Sequence, residues 1–222
     1  MRSIRQSIFA LAAAVTLVGV PSLSAQVTVE NFSTWNGSDA IIWFGPGGSN
    51  AYGQTFTAPA QYLNSWSFWL KDYEGASNAQ FSANVAEWNG SAIGTILWTS
   101  GTNFGPSSNA FEQYLWNTGG VSLGTSGEQY IFYLFTTGGT GRITAAGNNL
   151  SFGDGNFFFN NTNTLTDAWF GDWNPSDMVF EANFDRVPGS GEEVVPEPAT
   201  MTLLATGLMG LAGAARRKRR NA

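Results

Sequence analysis

The 222 residues contain neither histidine nor cysteine. Ser-His-Asp and Cys-His nucleophiles, histidine metal sites, thiolate chemistry and disulfide frameworks are therefore all unavailable. What is left is carboxylate chemistry, because Lys71 is the sole lysine between Gln26 and Pro198. Asp72 and Glu74 stand close in sequence, and Glu181 and Asp185 share the outward parity of the last predicted strand. Glycoside hydrolysis needs two carboxyls roughly 5 to 10 Å apart, one of them held protonated. Sequence spacing does not supply that geometry, and acidic pairs on an acidic surface are ordinarily solvated charges. The chain reads as a non-enzyme, with a carboxylate-dependent glycan-active enzyme as the third reading.

The aromatic residues suggest binding. Trp69 and Trp88 fall on the outward parity of two predicted strands, and "DAWFGDWNPSD" places Trp169, Phe170 and Trp173 in a loop. Flat rings beside Asn, Asp and Glu can stack on the C–H faces of a sugar while neighbouring polar groups bond its hydroxyls. Each of these tryptophans could instead cover the second face of a sheet. "GDGN" (Gly153 to Asn156) is first a turn, and Asp154 and Asn156 in it offer oxygen ligands to a calcium ion, although the spacing matches no EF-hand loop. No other cofactor is expected.

The elements that must position these residues are strands. "YLNSWSFWLKDY" carries Trp66, Phe68 and Leu70 on one parity and Ser65, Ser67, Trp69 and Lys71 on the other, which predicts one core face and one wet face. "AQFSANVAEW" points Phe81, Ala83 and Val85 inward, and "DMVFEANFD" does the same with Met178, Phe180, Ala182 and Phe184. "EQYIFYLFTT" is apolar on both parities from Tyr130 to Phe135, as a central strand covered on both sides would be. "GQTFTAP", "GTILWTS", "FEQYLWN" and "QVTVENF" supply further strands. The fold class is all-β, a two-sheet antiparallel sandwich with jelly-roll topology as the first expectation, flanked by an N-terminal signal helix and a C-terminal transmembrane helix.

Both ends differ from this middle. Residues 1–25 combine Arg2 and Arg5, an apolar stretch from Ile8 to Val20, Pro21 and small residues before Gln26, which is the layout of a secretory signal peptide. The sandwich occupies residues 26–187, and a flexible linker follows at 188–195, where "PGSGEEVV" mixes breakers with two glutamates. From Gln26 to Pro198 lie all 16 acidic residues and three basic ones, Lys71, Arg142 and Arg186, a formal charge of 3 − 16 = −13. Such a surface repels phosphate backbones and excludes a nucleic-acid partner.

The terminal segment, 196–222, has an apolar stretch at 199–215 that would reach roughly 25 Å as a helix, the lower limit for crossing a bilayer. Its orientation is set by the five basic residues behind it, which stay cytoplasmic while the β region faces out. Pro196, Glu197 and Pro198, the apolar stretch and the cluster Arg216, Arg217, Lys218, Arg219 and Arg220 together resemble the PEP-CTERM sorting signal of Gram-negative bacteria. The resemblance implies a transient anchor in the inner membrane through the C-terminal helix, recognition by an exosortase-type membrane protease, and delivery to the cell surface or extracellular matrix. "GQTFTAP", "SWSFWLKD", "VAEWNGSAIGTILWTS" and "DMVFEANF" are also similar, more loosely, to jelly-roll domains found with such tails. The leading expectation is an exported matrix protein in contact with exopolysaccharide, and the alternative is a structural or adhesive protein that binds another protein. Because the alternating strands account for the core, residues 26–187 expressed alone should give a soluble β protein with a single cooperative melt. A fragment that aggregates unless 188–222 is attached would contradict these boundaries.

Overall fold

In the computed structural model the residues described are 26–73, 75, 78–150, 152–171 and 174–185. They belong to the first of two units, Met1–Pro188 and Gly189–Ala222. The expected signal helix, linker and membrane helix lie outside the described residues, as do Glu74, Trp173 and the whole sorting segment. Among the described residues no helix is long and apolar enough to cross a membrane.

The strands form two antiparallel sheets. The first contains β1 (Gln26–Glu30), β2 (Ala40–Phe44), β4 (Tyr62–Asp72), β8 (Glu112–Ser122), β10 (Ile143–Asn148), β12 (Asp177–Met178) and β13 (Phe180–Asp185). The second contains β3 (Ala51–Thr57), β5 (Gln80–Trp88), β6 (Ile93–Thr99), β7 (Asn103–Phe104), β9 (Gln129–Gly138) and β11 (Phe157–Asn160). Among the described strands the chain changes sheet at eight of twelve connections, so each inner face is assembled from distant segments. β4 is long enough to serve two neighbours on one edge: Leu70 to Asp72 pair with β10, and Tyr62 to Phe68 pair with β13.

The inward parities expected from sequence are the ones observed. Trp66, Phe68, Leu70, Phe81, Ala83, Val85, Met178, Phe180, Ala182 and Phe184 all enter one core between the sheets. Phe132 of β9 is stacked between Phe56 (4.0 Å between centroids) and Trp66 (4.8 Å), a three-ring column that crosses from one sheet to the other. β9 lies between β3 and β5 and is covered on both sides: Tyr130, Phe132 and Leu134 enter the central core, and Ile131 and Tyr133 enter a second cluster behind their sheet.

The wet face expected of β4 is corrected by the structure. Ser67 is fully buried, accepting from Gln113 Nε2 at 3.0 Å, and Trp69 is only 9% exposed. The cover is the segment after β1: Phe32, in the 3-10 turn Phe32–Thr34, stacks on Trp69 at 4.4 Å, and Trp35 and Phe111 close the cluster around it. Alternation reports which side of a sheet a residue takes. It does not report whether another segment later folds over that side.

Buried polar groups join the layers. Gln54 of β3 reaches across to the other sheet, donating to Asp177 Oδ1 and accepting from the Met178 N–H, both at 2.8 Å. Asn31 donates to the Met178 carbonyl and accepts from the Phe180 N–H, both at 2.9 Å, where β12 gives way to β13. Burial lifts the Asp177 carboxyl above its ordinary 3.8, with donors from Phe152, Gln54 and Ser176 pulling it back. A raised folded-state pKa means that this group favours the fold most below the ordinary value. Its contribution falls as pH rises through the raised value.

Phe68→Ala should lower stability by roughly 3 to 5 kcal/mol, since it empties a fully buried site. Ser67→Ala should lose only about 1 kcal/mol, since its partners are an exposed glutamine that can turn to water and, at a long 3.5 Å, the Glu181 carbonyl. Denaturant melts of both variants test this, and equal losses would contradict the core assignment.

Candidate functional site

Three of the aromatic residues expected to form a sugar platform, Trp69, Trp88 and Trp169, are brought into two separate outer clusters and covered. Trp69 lies under Phe32, as above. Trp88 (9% exposed) and Trp169 (5%) pack edge to face at 6.1 Å behind the second sheet, with Phe158 against Trp88 at 4.7 Å. The loop carrying Trp169 is tied down by its N–H to the Ser91 carbonyl (2.8 Å) and by its indole N–H to the Leu165 carbonyl (3.0 Å). The outward parities of Trp69 and Trp88 were read correctly, but their expected exposure is overturned by these covering loops. Phe170 stays 54% exposed, and Trp173 lies outside the described residues.

The "GDGN" stretch is a turn in which Asp154 and Asn156 point outward. Gly155 lies so close to the Thr55 carbonyl that a Cβ there would stand 1.8 Å from its oxygen, and the Asn156 backbone bonds Thr55 in both directions. Among the described residues no three acidic side chains gather as a metal cage would require. The carboxylate pairs fare no better as acid and base. Asp72 is buried, and Glu181 and Asp185, four positions apart on one strand, are separated along it by about 13 Å at 3.3 Å per residue. That exceeds the glycosidase range.

The structure assembles a site that sequence reading missed. At one end of the first sheet β4, β10 and β2 lie side by side, with Ile143 opposite both Asp72 and Phe44. Ile143 and Phe44 point into the core, so the adjacent Tyr73, Arg142 and Trp43 come together on the outer face. The Trp43 indole N–H donates to the Tyr73 hydroxyl at 2.8 Å, and the Arg142 guanidinium sits 5.8 Å from the Trp43 ring and 5.2 Å from the Tyr73 ring. Contacts of this kind contribute about 0.5 to 1 kcal/mol each at exposed positions. Trp43 is nonetheless 50% exposed.

Trp43 also has φ +81, and among the described residues it is the non-glycine in the left-handed region. Its backbone lies in a β-bulge: Ile41 pairs with Ala145 and Phe44 with Ile143, which leaves Ile42 and Trp43 together opposite Thr144. The bulge is held from both sides. The Tyr52 hydroxyl crosses from the second sheet to bond the Ile42 carbonyl, and burial pushes Tyr52 up to about 12, keeping it a donor. The Trp43 carbonyl accepts the Ser49 N–H at 2.9 Å, and Gly48 passes so near that a Cβ there would lie 1.9 Å from this oxygen. The sequence signal was a tryptophan running directly into "FGPGG", a glycine-rich turn that can fold back only without side chains.

The C-terminal stretch matches the PEP-CTERM protein-sorting motif over residues 194–220. Pro196, Glu197, Pro198 and Arg216 to Arg220 all lie inside this match. Such a motif implies export and exosortase-dependent sorting to the surface. No curated protein matches the chain. Among solved structures, "Structure of infectious bursal disease virus Gt strain" is similar over 75% of this chain at 11% identity with a TM-score of 0.29. This chain spans 38% of that one, and so distant a likeness carries nothing further.

Acrylamide quenching separates the tryptophans. Trp43→Phe should remove a readily quenched part of the emission, whereas Trp69→Phe should leave the amount of quenchable emission unchanged, and equal effects would contradict the cover over Trp69.

Proposed function

We propose that the protein is an exported, non-enzymatic β-sandwich, processed by an exosortase-type membrane enzyme and delivered to the cell surface or matrix, where it associates with exopolysaccharide. The observation that carries this proposal is the sorting motif at 194–220, joined to an acidic domain that has no histidine or cysteine. The sheet-to-sheet crossing at eight of the twelve connections between described strands supports jelly-roll topology as the finer description of that domain. A second reading, a structural or adhesive protein whose partner is another protein, is favoured by the burial of Trp69, Trp88 and Trp169.

Intact mass of the surface form from a native host tests the processing step. It should lack the segment after Pro198, whereas a host without the protease should retain the full chain in its inner membrane. A mature native form still ending at Ala222 overturns the proposal. Replacing Arg216 to Arg220 with neutral residues should loosen cytoplasmic retention of the C-terminus, because the positive-inside bias is lost. A pull-down on the host's own polysaccharide, with and without calcium, decides association: retention that persists in moderate salt supports it, and no retention leaves the protein-adhesive reading.

A further inference from the structure

We propose that Trp43, Tyr73 and Arg142 form a binding site for a neutral sugar ring. This rests on the polysaccharide reading above and gives it a location.

Three observations converge on the site. First, a bulky residue in the left-handed region is unfavourable, and an indole left half-exposed returns only part of its burial against that strain. Packing alone would favour glycine at this position. Strain of this kind persists only where surrounding structure over-determines it, and here Tyr52, Ser49 and Gly48 do so. Second, the polar edge of the indole is already engaged by the Tyr73 hydroxyl. The half of the indole left exposed beside the Arg142 guanidinium is suited to C–H contact, with the Tyr73 phenol oxygen next to it to bond a hydroxyl. An apolar plane flanked by convergent donors and acceptors is what a pyranose needs, having an apolar face and a polar rim. Third, charge narrows the class of ligand. Residues 26–185 hold 13 acidic and two basic side chains, a formal charge of 2 − 13 = −11. A polyanion approaches this domain against repulsion, and an uncharged chain does not. The site is also pre-organised, since the bulge that aims Trp43 is bonded from the core side before any ligand arrives.

The test is affinity electrophoresis of the full chain, solubilised in a detergent without a sugar headgroup, in native gels containing hydroxyethyl cellulose, dextran or galactomannan, with polygalacturonate as the charged arm. At least one neutral gel should retard the wild type, with little change in moderate salt. Trp43→Gly should weaken that retardation at least tenfold while its melting temperature stays the same or rises, because glycine accepts the left-handed backbone. Tyr52→Phe, which removes one hydroxyl from beneath the bulge, should weaken it less. Retardation unchanged by Trp43→Gly overturns this site and leaves the polysaccharide reading intact. Retardation by polygalacturonate alone, or by none of the neutral gels, overturns the neutral-sugar site, while the pull-down on host polysaccharide decides the wider reading separately. A Trp43→Gly chain that melts well below the wild type also overturns the proposal, since Trp43 would then be part of the fold's support.

Discussion

Where β3 of one sheet faces β12 of the other, the Gln54 side chain bonds both Asp177 and the Met178 backbone at 2.8 Å, out of reach of water. A sandwich core made of aromatic and aliphatic groups sets no unique offset between its sheets, because dispersion and burial are almost non-directional. A buried amide is directional. If the sheets slid by one residue, Gln54, Asp177 and Met178 would lose partners that each cost about 1 to 3 kcal/mol to leave unmade. Asn31 acts similarly at the β12 to β13 break, bonding Met178 and Phe180. Together they fix the last strands against β4 and β10, and the outer end where β4, β10 and β2 meet inherits that registration.

Both sheets carry large apolar residues on their outer faces, which a two-layer sandwich in water cannot leave bare. The segment after β1 covers Trp69, and the loop after β11 covers Trp88. Each cover is a small patch, contributes its own tryptophan or phenylalanine, and is pinned by indole-to-carbonyl bonds, Trp35 to Asp39 and Trp169 to Leu165. The domain is therefore two layers with patches of a third.

This arrangement explains what the sequence made legible. Strand parity is a property of the backbone, so Phe68, Phe81 and Phe180 could be placed from alternation alone, and so could the double-sided burial of the strand from Tyr130 to Phe135. Exposure of Trp69 and Trp88 depends on loops from distant parts of the chain, about which period-two patterning says nothing. Trp43 was missed for a different reason. A bulge breaks alternation, and "AIIWF" shows no parity to read. The pairing of Tyr73 and Arg142 with it exists only once three strands are side by side. The sorting motif was legible because it is recognised as a linear order of residue types and needs no tertiary contact.

The charge of the chain links its terminal segment to its domain. Seven of the ten basic residues stand in 1–25 and 216–220, while residues 26–198 carry all 16 acids and a formal −13. Basic residues near a membrane surface attract anionic headgroups by about 1 kcal/mol each, and acidic ones are repelled. In the proposed topology a chain that keeps its tail would thus be held at the cytoplasmic leaflet by charge as well as by apolar length. The proposed cleavage near Pro198 would remove both attractions together and leave a domain whose charge favours departure from any anionic surface. An apolar stretch this weak, with three threonines and three glycines among 199–215, would suit such a role. It needs the basic cluster to hold while the cluster is present, and nothing in the domain replaces that attraction afterwards.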